Sequence, residues 1–185
     1  MEEYPSKGRL WIMDTSIGIY NPHKPKRGFE KISKEQWVKD SENFYYYKED
    51  NYDEIILPKR ATAKSAGYDI FAPYDIVLDA GCSIKVCTGI KSYMLDDERL
   101  SIYPRSGLGF KFFLRLANTV GIVDSDYFNN ERTEGHIYIK IRNEGDYQIL
   151  IKKGEAFAQA IFEKYLLADG DDYTGAERKG GLGST

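Results

Sequence analysis

Residues 137–142 alternate without a break. Ile137, Ile139 and Ile141 fall on one side, and Tyr138, Lys140 and Arg142 on the other. A period of two belongs to a strand with one apolar face. The same period recurs: Ile84, Val86, Thr88 and Ile90 alternate with Lys85, Cys87 and Gly89. Leu100 and Ile102 share a face, Ile149 and Ile151 follow, and Phe157 and Ile161 continue the pattern. Ile55-Ile56-Leu57 reads as a short strand stopped by Pro58, and Gly81, Gly145 and Gly154 mark turns. Many short strands with turns between them predict an all-β barrel or sandwich from Tyr52 onward.

Residues 1–52 have a different texture, polar and rich in aromatics, with a basic run Lys24-Pro25-Lys26-Arg27 that reads as a solvated loop. Ser33 and Gln36 are spaced as a capping box, Ser33 as N-cap and Gln36 at N3, which predicts a short helix over 34–43. Tyr45-Tyr46-Tyr47 suits either a strand or an aromatic patch.

A chain of 185 residues suits one domain with a real core. The net charge of −3 gives no basic footprint for nucleic acid, so a phosphate site would need local Arg, Lys and backbone N–H groups. Cys82 and Cys87 stand five apart on opposite faces of a strand, which suits a reducing compartment and a cytoplasmic setting. With only His23 and His136, a histidine-rich metal site is excluded, and so is the zinc deaminase signature. The N-terminus lacks the apolar segment of a signal peptide, and no apolar run reaches the ~20 residues of a membrane span.

Five stretches carry polar residues where chemistry could sit. Residues 118–127, NTVGIVDSDY, place β-formers before an Asp-Ser-Asp turn. An apolar strand ending there presents Asp124 at the mouth of a pocket with the flat ring of Tyr127 beside it. That pairing suits a site that holds a sugar or base and activates a water; an Asp-rich hairpin turn is the plainer reading. Residues 66–72 set Asp69 among small and apolar neighbours. Residues 104–109, PRSGLG, end a strand with a cation, a hydroxyl and flexible backbone, a set suited to phosphate. Gln159 is a lone amide in an apolar strand, and the tail closes on Arg178, Lys179 and GGLGST. Glycine N–H groups, hydroxyls and cations together can cage an anion.

In this order the five stretches resemble the five motifs of the trimeric deoxyuridine triphosphate nucleotidohydrolases, over residues 53–185. Residues 57–62 and 27–30 are similar to versions from Gram-positive bacteria and their phages. The resemblance implies a jelly-roll-type β-barrel core at 53–167. It also implies an extension at 1–52 with a short helix, and a flexible glycine-rich arm at 168–185. It implies a homotrimer with sites between subunits, and hydrolysis of dUTP to dUMP and pyrophosphate. Asp124 would be the general base, and Asp126 part of the turn. Arg105, Ser106, Gly107 and Gln159 would hold phosphates from one side. Arg178, Gly183, Ser184 and Thr185 would close from another subunit. Tyr127 would pack on the deoxyribose, Leu182 would cover the base, and Asn118 with the backbone of Gly121, Ile122 and Val123 would read uracil. Mg2+ would sit mainly on the triphosphate, with Asp69 reaching it through water.

Three positions depart from the family pattern. A longer polar loop at 128–134 replaces a short Tyr-x-Gly link, Ala156 stands for an Arg, and Leu182 stands for a Phe. The alternatives are a dCTP deaminase-like enzyme, or an added regulatory role in which the 128–134 insertion or residues 1–52 dock a protein. Direct binding to nucleic acid or membrane is not expected.

Overall fold

The computed structural model describes residues 25–41, 51–175 and 178–181. Strand β10 (Tyr138–Asn143) carries the alternation expected of it: Ile139 and Ile141 are buried, while Lys140 and Arg142 are exposed. It is the middle strand of a sheet with β5 (Ser83–Cys87) and β8 (Leu114–Leu116). The largest sheet runs β2 (Lys59–Arg60), β3 (Tyr68–Phe71), β12 (Ala156–Lys164), β7 (Glu98–Pro104), β9 (Gly121–Asp124). Two pairs complete the set: β4 (Ile76–Leu78) with β11 (Ile149–Ile151), and β1 (Gly28–Lys31) with β6 (Ile90–Tyr93). Every pairing is antiparallel. The result is the expected all-β jelly-roll fold, its interior filled by Ile, Leu and Val with Phe157 fully buried.

The described part of the N-terminal extension is built into this core. Strand β1 pairs with β6, and helix α1 (Lys34–Ser41) drives Trp37 into the same apolar cluster as the barrel residues, beside fully buried Ile32. The Phe29 ring packs against Tyr68 and Phe162 with centroids 5.5 and 5.2 Å away. Burying aromatic surface in this way is worth more than any single hydrogen bond in the segment.

Several local expectations are corrected. Residues 55–57 form no strand; Ile55 is buried, but Ile56 and Leu57 face solvent and the first ladder contact comes after Pro58. The stretch from Ile84 to Ile90 is two strands, not one, because Gly89 takes a left-handed φ of 73° and turns the chain. Residues 106–109, read as flexible backbone, lie in helix α2 (Ser106–Phe112). Helix α1 is described over Lys34–Ser41, and residues 42 and 43 of the expected span lie outside the described residues. Its cap is half as expected: Ser33 Oγ accepts from the Gln36 N–H at 3.1 Å, but the Ser33 N–H goes to Glu134 at 2.9 Å. Arg27 does not end a free basic loop. Its Nε donates to both oxygens of buried Glu98, at 3.0 and 2.9 Å. Lys24, Tyr45, Tyr46 and Tyr47 lie outside the described residues. Cys82 is exposed and Cys87 buried, both free, as opposite faces require.

Candidate active site

Strand β9 pairs with β7 so that Gly121 lies opposite Ile102, Val123 opposite Leu100 and Asp124 opposite Arg99. The alternation turns Val123 into the core and leaves Ile122 outside. Asp124 therefore ends the strand half-exposed, where a short 3-10 turn, Ser125–Tyr127, begins. That turn folds Tyr127 inward until its ring is buried. Burial also raises the Tyr127 pKa above its ordinary value, so the phenol keeps its proton.

These residues meet around one cavity of about 110 Å³, lined by Asn118, Gly121, Ile122, Val123, Asp124, Tyr127, Tyr138 and Arg178 among others. It continues into a second cavity of about 280 Å³ that shares Ile102, Asn118, Gly121 and Tyr138 and adds Lys85 and Lys140. The combined space is apolar-walled with a few polar groups, the ordinary character of a small-molecule site. Seven expected residues are thus brought together: Asn118, Gly121, Ile122, Val123, Asp124, Tyr127 and Arg178.

The arm reaches this cavity along its own chain. Arg178 Nη2 lies 2.6 Å from Asp124 Oδ2, and Nε lies 2.9 Å from Asp126 Oδ1. Gly181 lies against the Tyr127 ring, where a Cβ would come within 2.6 Å of Cε2. Only a residue without a side chain fits there undistorted. Leu182, Gly183, Ser184 and Thr185 lie outside the described residues.

Arg105, Ser106, Gly107, Gln159 and Asp69 are not part of that cavity. Asp69, Gln159 and Arg105 gather across β3, β12 and the end of β7, with Gln159 opposite Asp69 on one side and Tyr103 on the other, and Ser106 and Gly107 follow in helix α2. Arg105 Nε lies 3.1 Å from Asp69 Oδ1, and Gln159 Nε2 donates to the Pro104 carbonyl at 3.1 Å. Arg105 and Ser106 open instead onto a groove of about 390 Å³ with Phe110, Phe113 and Arg115. Among the described residues no cluster of three or more His, Cys, Asp or Glu side chains is placed to hold a metal.

Four residues of the smaller cavity's wall, Ile102, Ile137, Tyr138 and Gly181, were not expected as site residues. Ile102 was read only as a strand residue, and Gly181 only as part of a glycine-rich tail. Tyr138 is half-buried although it sits on the polar side of β10; a single ring among charged neighbours was the available signal.

A dUTPase family model matches residues 53–183. The chain belongs to the dUTPase family. The deoxyuridine 5'-triphosphate nucleotidohydrolase of Lactococcus lactis subsp. lactis is 44% identical over 132 residues, covering 71% of this chain and 88% of that protein. The namesake from Tolumonas auensis is 36% identical over 140 residues, covering 72% and 89%. In structure, the dUTPase of Streptococcus mutans covers 77% of this chain and 99% of its own, with a TM-score of 0.61 and 37% identity. A dUTPase from phage phi11 of S. aureus has the same fold at 19% identity, with a TM-score of 0.55, covering 68% of this chain and 93% of its own. Strand β1 and helix α1 precede the matched dUTPase span, whereas every cavity residue lies inside it.

Proposed function

We propose that the chain hydrolyses dUTP to dUMP and pyrophosphate with Asp124 as general base. The position of Asp124 carries this reading: it stands at the mouth of a cavity whose depth offers one buried ring and an open strand edge. Uracil enters along β9 beside Asn118, read by the backbone of Gly121, Ile122 and Val123. The deoxyribose packs on Tyr127, whose fixed ring leaves no room for a 2′-hydroxyl. Leu182 covers the base when the arm closes. Asp124 orients a water and takes its proton as the water oxygen bonds to the α-phosphorus. The bond from that phosphorus to the bridging oxygen breaks on the opposite side, and pyrophosphate leaves with the oxygen. A positioned base of this kind contributes ~10²–10⁴-fold.

The phosphate-side residues Arg105, Ser106, Gly107 and Gln159 serve a site completed by another subunit. Two observations support assembly with another copy, which we read as a homotrimer. Arg105 and Ser106 open onto a different groove from Asp124, and helix α2 leaves Phe110 88% exposed beside the half-exposed rings of Phe112 and Phe113. Such rings favour cover by a second chain. Arg178 then leaves Asp124 for the more highly charged triphosphate, joined by Gly183, Ser184 and Thr185.

Asp69 fits a supporting role toward Mg2+. Its Oδ1 is ion-paired with Arg105, and Mg2+ needs few protein ligands when substrate phosphates supply the rest. When bound, the ion would offset triphosphate charge. The barrel at 53–167 and arm at 168–185 form the catalytic unit, with β1 and α1 of the 1–52 extension packed onto it. The two free cysteines agree with a cytoplasmic setting.

A panel of dUTP, UTP, dTTP and dCTP, with and without chelator, tests the reading. Pyrophosphate from dUTP alone, abolished by chelation, is the expected result. Orthophosphate as product, or ammonia from dCTP, would overturn it.

A further inference from the structure

The segment that replaces the short Tyr-x-Gly link closes back on Tyr127. Asn130 is buried, and its Nδ2 donates to the Tyr127 carbonyl at 2.8 Å while its Oδ1 accepts from the Arg132 and Thr133 N–H groups. Gly135 adopts φ 82°, and a Cβ there would lie 2.7 Å from the Tyr127 carbonyl oxygen. The loop ends at His136, whose own carbonyl accepts the Tyr127 hydroxyl at 2.9 Å. Both ends of Tyr127, backbone and phenol, are thus anchored on this loop.

His136 is itself held at both ring nitrogens. The Gly89 N–H donates to Nε2 at 2.9 Å, so Nε2 is bare and the proton sits on Nδ1. Nδ1–H then donates to Asp40 Oδ2 at 2.6 Å. The ring is wholly buried, against Trp37 on one side and the cavity residue Tyr138 on the other, with centroids 6.3 and 4.3 Å away. Asp40 and Trp37 both come from helix α1, outside the matched family span. The same helix grips the loop twice more. Glu134 accepts from the Ser33 N–H at 2.9 Å and Oγ at 2.5 Å, and Lys39 Nζ donates to the Arg132 carbonyl at 3.4 Å.

We propose that Asp40 and His136 are positioning residues for Tyr127, so that helix α1 sets how strictly the site excludes a 2′-hydroxyl. The proposal rests on the reading of Tyr127 as the sugar platform. A fixed carboxylate holds the imidazole, the imidazole fixes its own carbonyl, and that carbonyl holds the phenol. Loss of the first link lets the ring shift, and room for an extra hydroxyl opens beside the sugar. A displacement of this kind costs selectivity before it costs chemistry, because Asp124 is attached to β9 and not to the loop.

The test compares kcat and KM for dUTP and UTP in the wild type, Asp40→Ala, Asp40→Asn and Ser33→Ala, each checked for folding by circular dichroism. Asp40→Ala should lower the dUTP-to-UTP ratio of kcat/KM by about tenfold, part of the ~10²-fold by which a pocket rejects an added hydroxyl. Its kcat on dUTP should stay within about threefold, since a binding contact rather than the base is disturbed. Asp40→Asn keeps an oxygen for Nδ1–H and should keep the ratio. Ser33→Ala, which loosens the helix from Glu134, should move the ratio the same way by less. If Asp40→Ala fails to fold, the Ser33→Ala ratio decides. An unchanged ratio in the folded variants, or a fall in kcat with the ratio intact, overturns the proposal. A wild type equally active on UTP would instead refute the sugar role of Tyr127.

Discussion

Arg178 and Asp124 form an ion pair, 2.6 Å from Nη2 to Oδ2, in which the arm's cation lies on the carboxylate proposed to activate water. The pair is half-exposed, so it is worth at most about 1 kcal/mol and yields readily to a triphosphate. A resting contact of this strength can hold the arm near its site without locking it.

Asp124→Asn separates the two jobs of this carboxylate. The amide keeps the shape of the turn but cannot take a proton from water. We expect a folded enzyme that binds a non-hydrolysable dUTP analogue, with kcat reduced by ~10²–10⁴. A variant within a few-fold of wild type would move the base elsewhere, with Asp126 the nearest carboxylate to test.

Gly181→Ala should act through the Tyr127 ring. The added Cβ would meet Cε2 at 2.6 Å, and that ring is buried and tethered, so the arm must give way. KM for dUTP is expected to rise while the melting temperature stays constant, because residue 181 lies on the barrel and not in its core. A drop in melting temperature would show that arm seating contributes to stability instead.

Arg27→Ala should destabilise the fold by about 1–2 kcal/mol. Glu98 is almost wholly covered and would lose its cation, which argues for the 3–5 kcal/mol of a broken buried pair. Arg27 is 41% exposed, however, so water partly replaces it and the lower figure wins. Hydrogen bonding from Arg27 also holds the Glu98 pKa below its ordinary 4.5. That contribution is present above 4.5 and lost as pH falls through the lowered folded value. Urea titrations of the two proteins at neutral pH give the difference directly.

Burial lowers the His136 pKa below 6.5, outweighing the opposing effect of Asp40. Lys85 adds to the lowering and Glu134 opposes it, and the Tyr138 phenol packed on the ring stays protonated. As pH falls below 6.5 the unfolded chain takes up this proton first, so stability declines from there down to the folded value. For Asp40, burial pushes the pKa up, but the hydrogen bond from His136 and the polar Gln36 and Tyr138 side chains nearby win and bring it below 3.8, so its loss comes later and lower. The melting temperature should therefore fall between pH 7 and pH 5 in the wild type, and fall less in His136→Gln. Parallel curves for the two proteins would place the acid sensitivity elsewhere.

Much of this was legible in the chain itself where pattern and chemistry agree. Strand β10 declared itself by alternation, Ser33 by its cap, and the cavity wall by an Asp-rich turn after an apolar strand. Helix α2 did not, because it buries no side chain and so has no apolar stripe to read, and its two glycines argue against a helix. The strand break at Thr88 depends on a backbone angle at Gly89, which alternation cannot report. The phosphate-side residues were recognisable by type, but their separation from Asp124 within one chain follows from sheet order. The Asp40–His136 pair spans 96 residues, so neither residue announces the other. A lone histidine gave no sign that its ring would be bonded at both nitrogens and its carbonyl would carry a tyrosine.

Strand β9 has one more property. It is the last strand of its sheet, paired with β7 and with no strand on its other side among the described residues. An open edge offers alternating donors and acceptors to anything flat that can match them, and a pyrimidine and a foreign polypeptide strand are equivalent in that respect. The strand proposed to admit substrate is therefore also the place where two chains would begin to aggregate. The arm's Arg178 lies on Asp124 at the end of that strand, and chains deprived of the arm should scatter light at concentrations the whole protein tolerates.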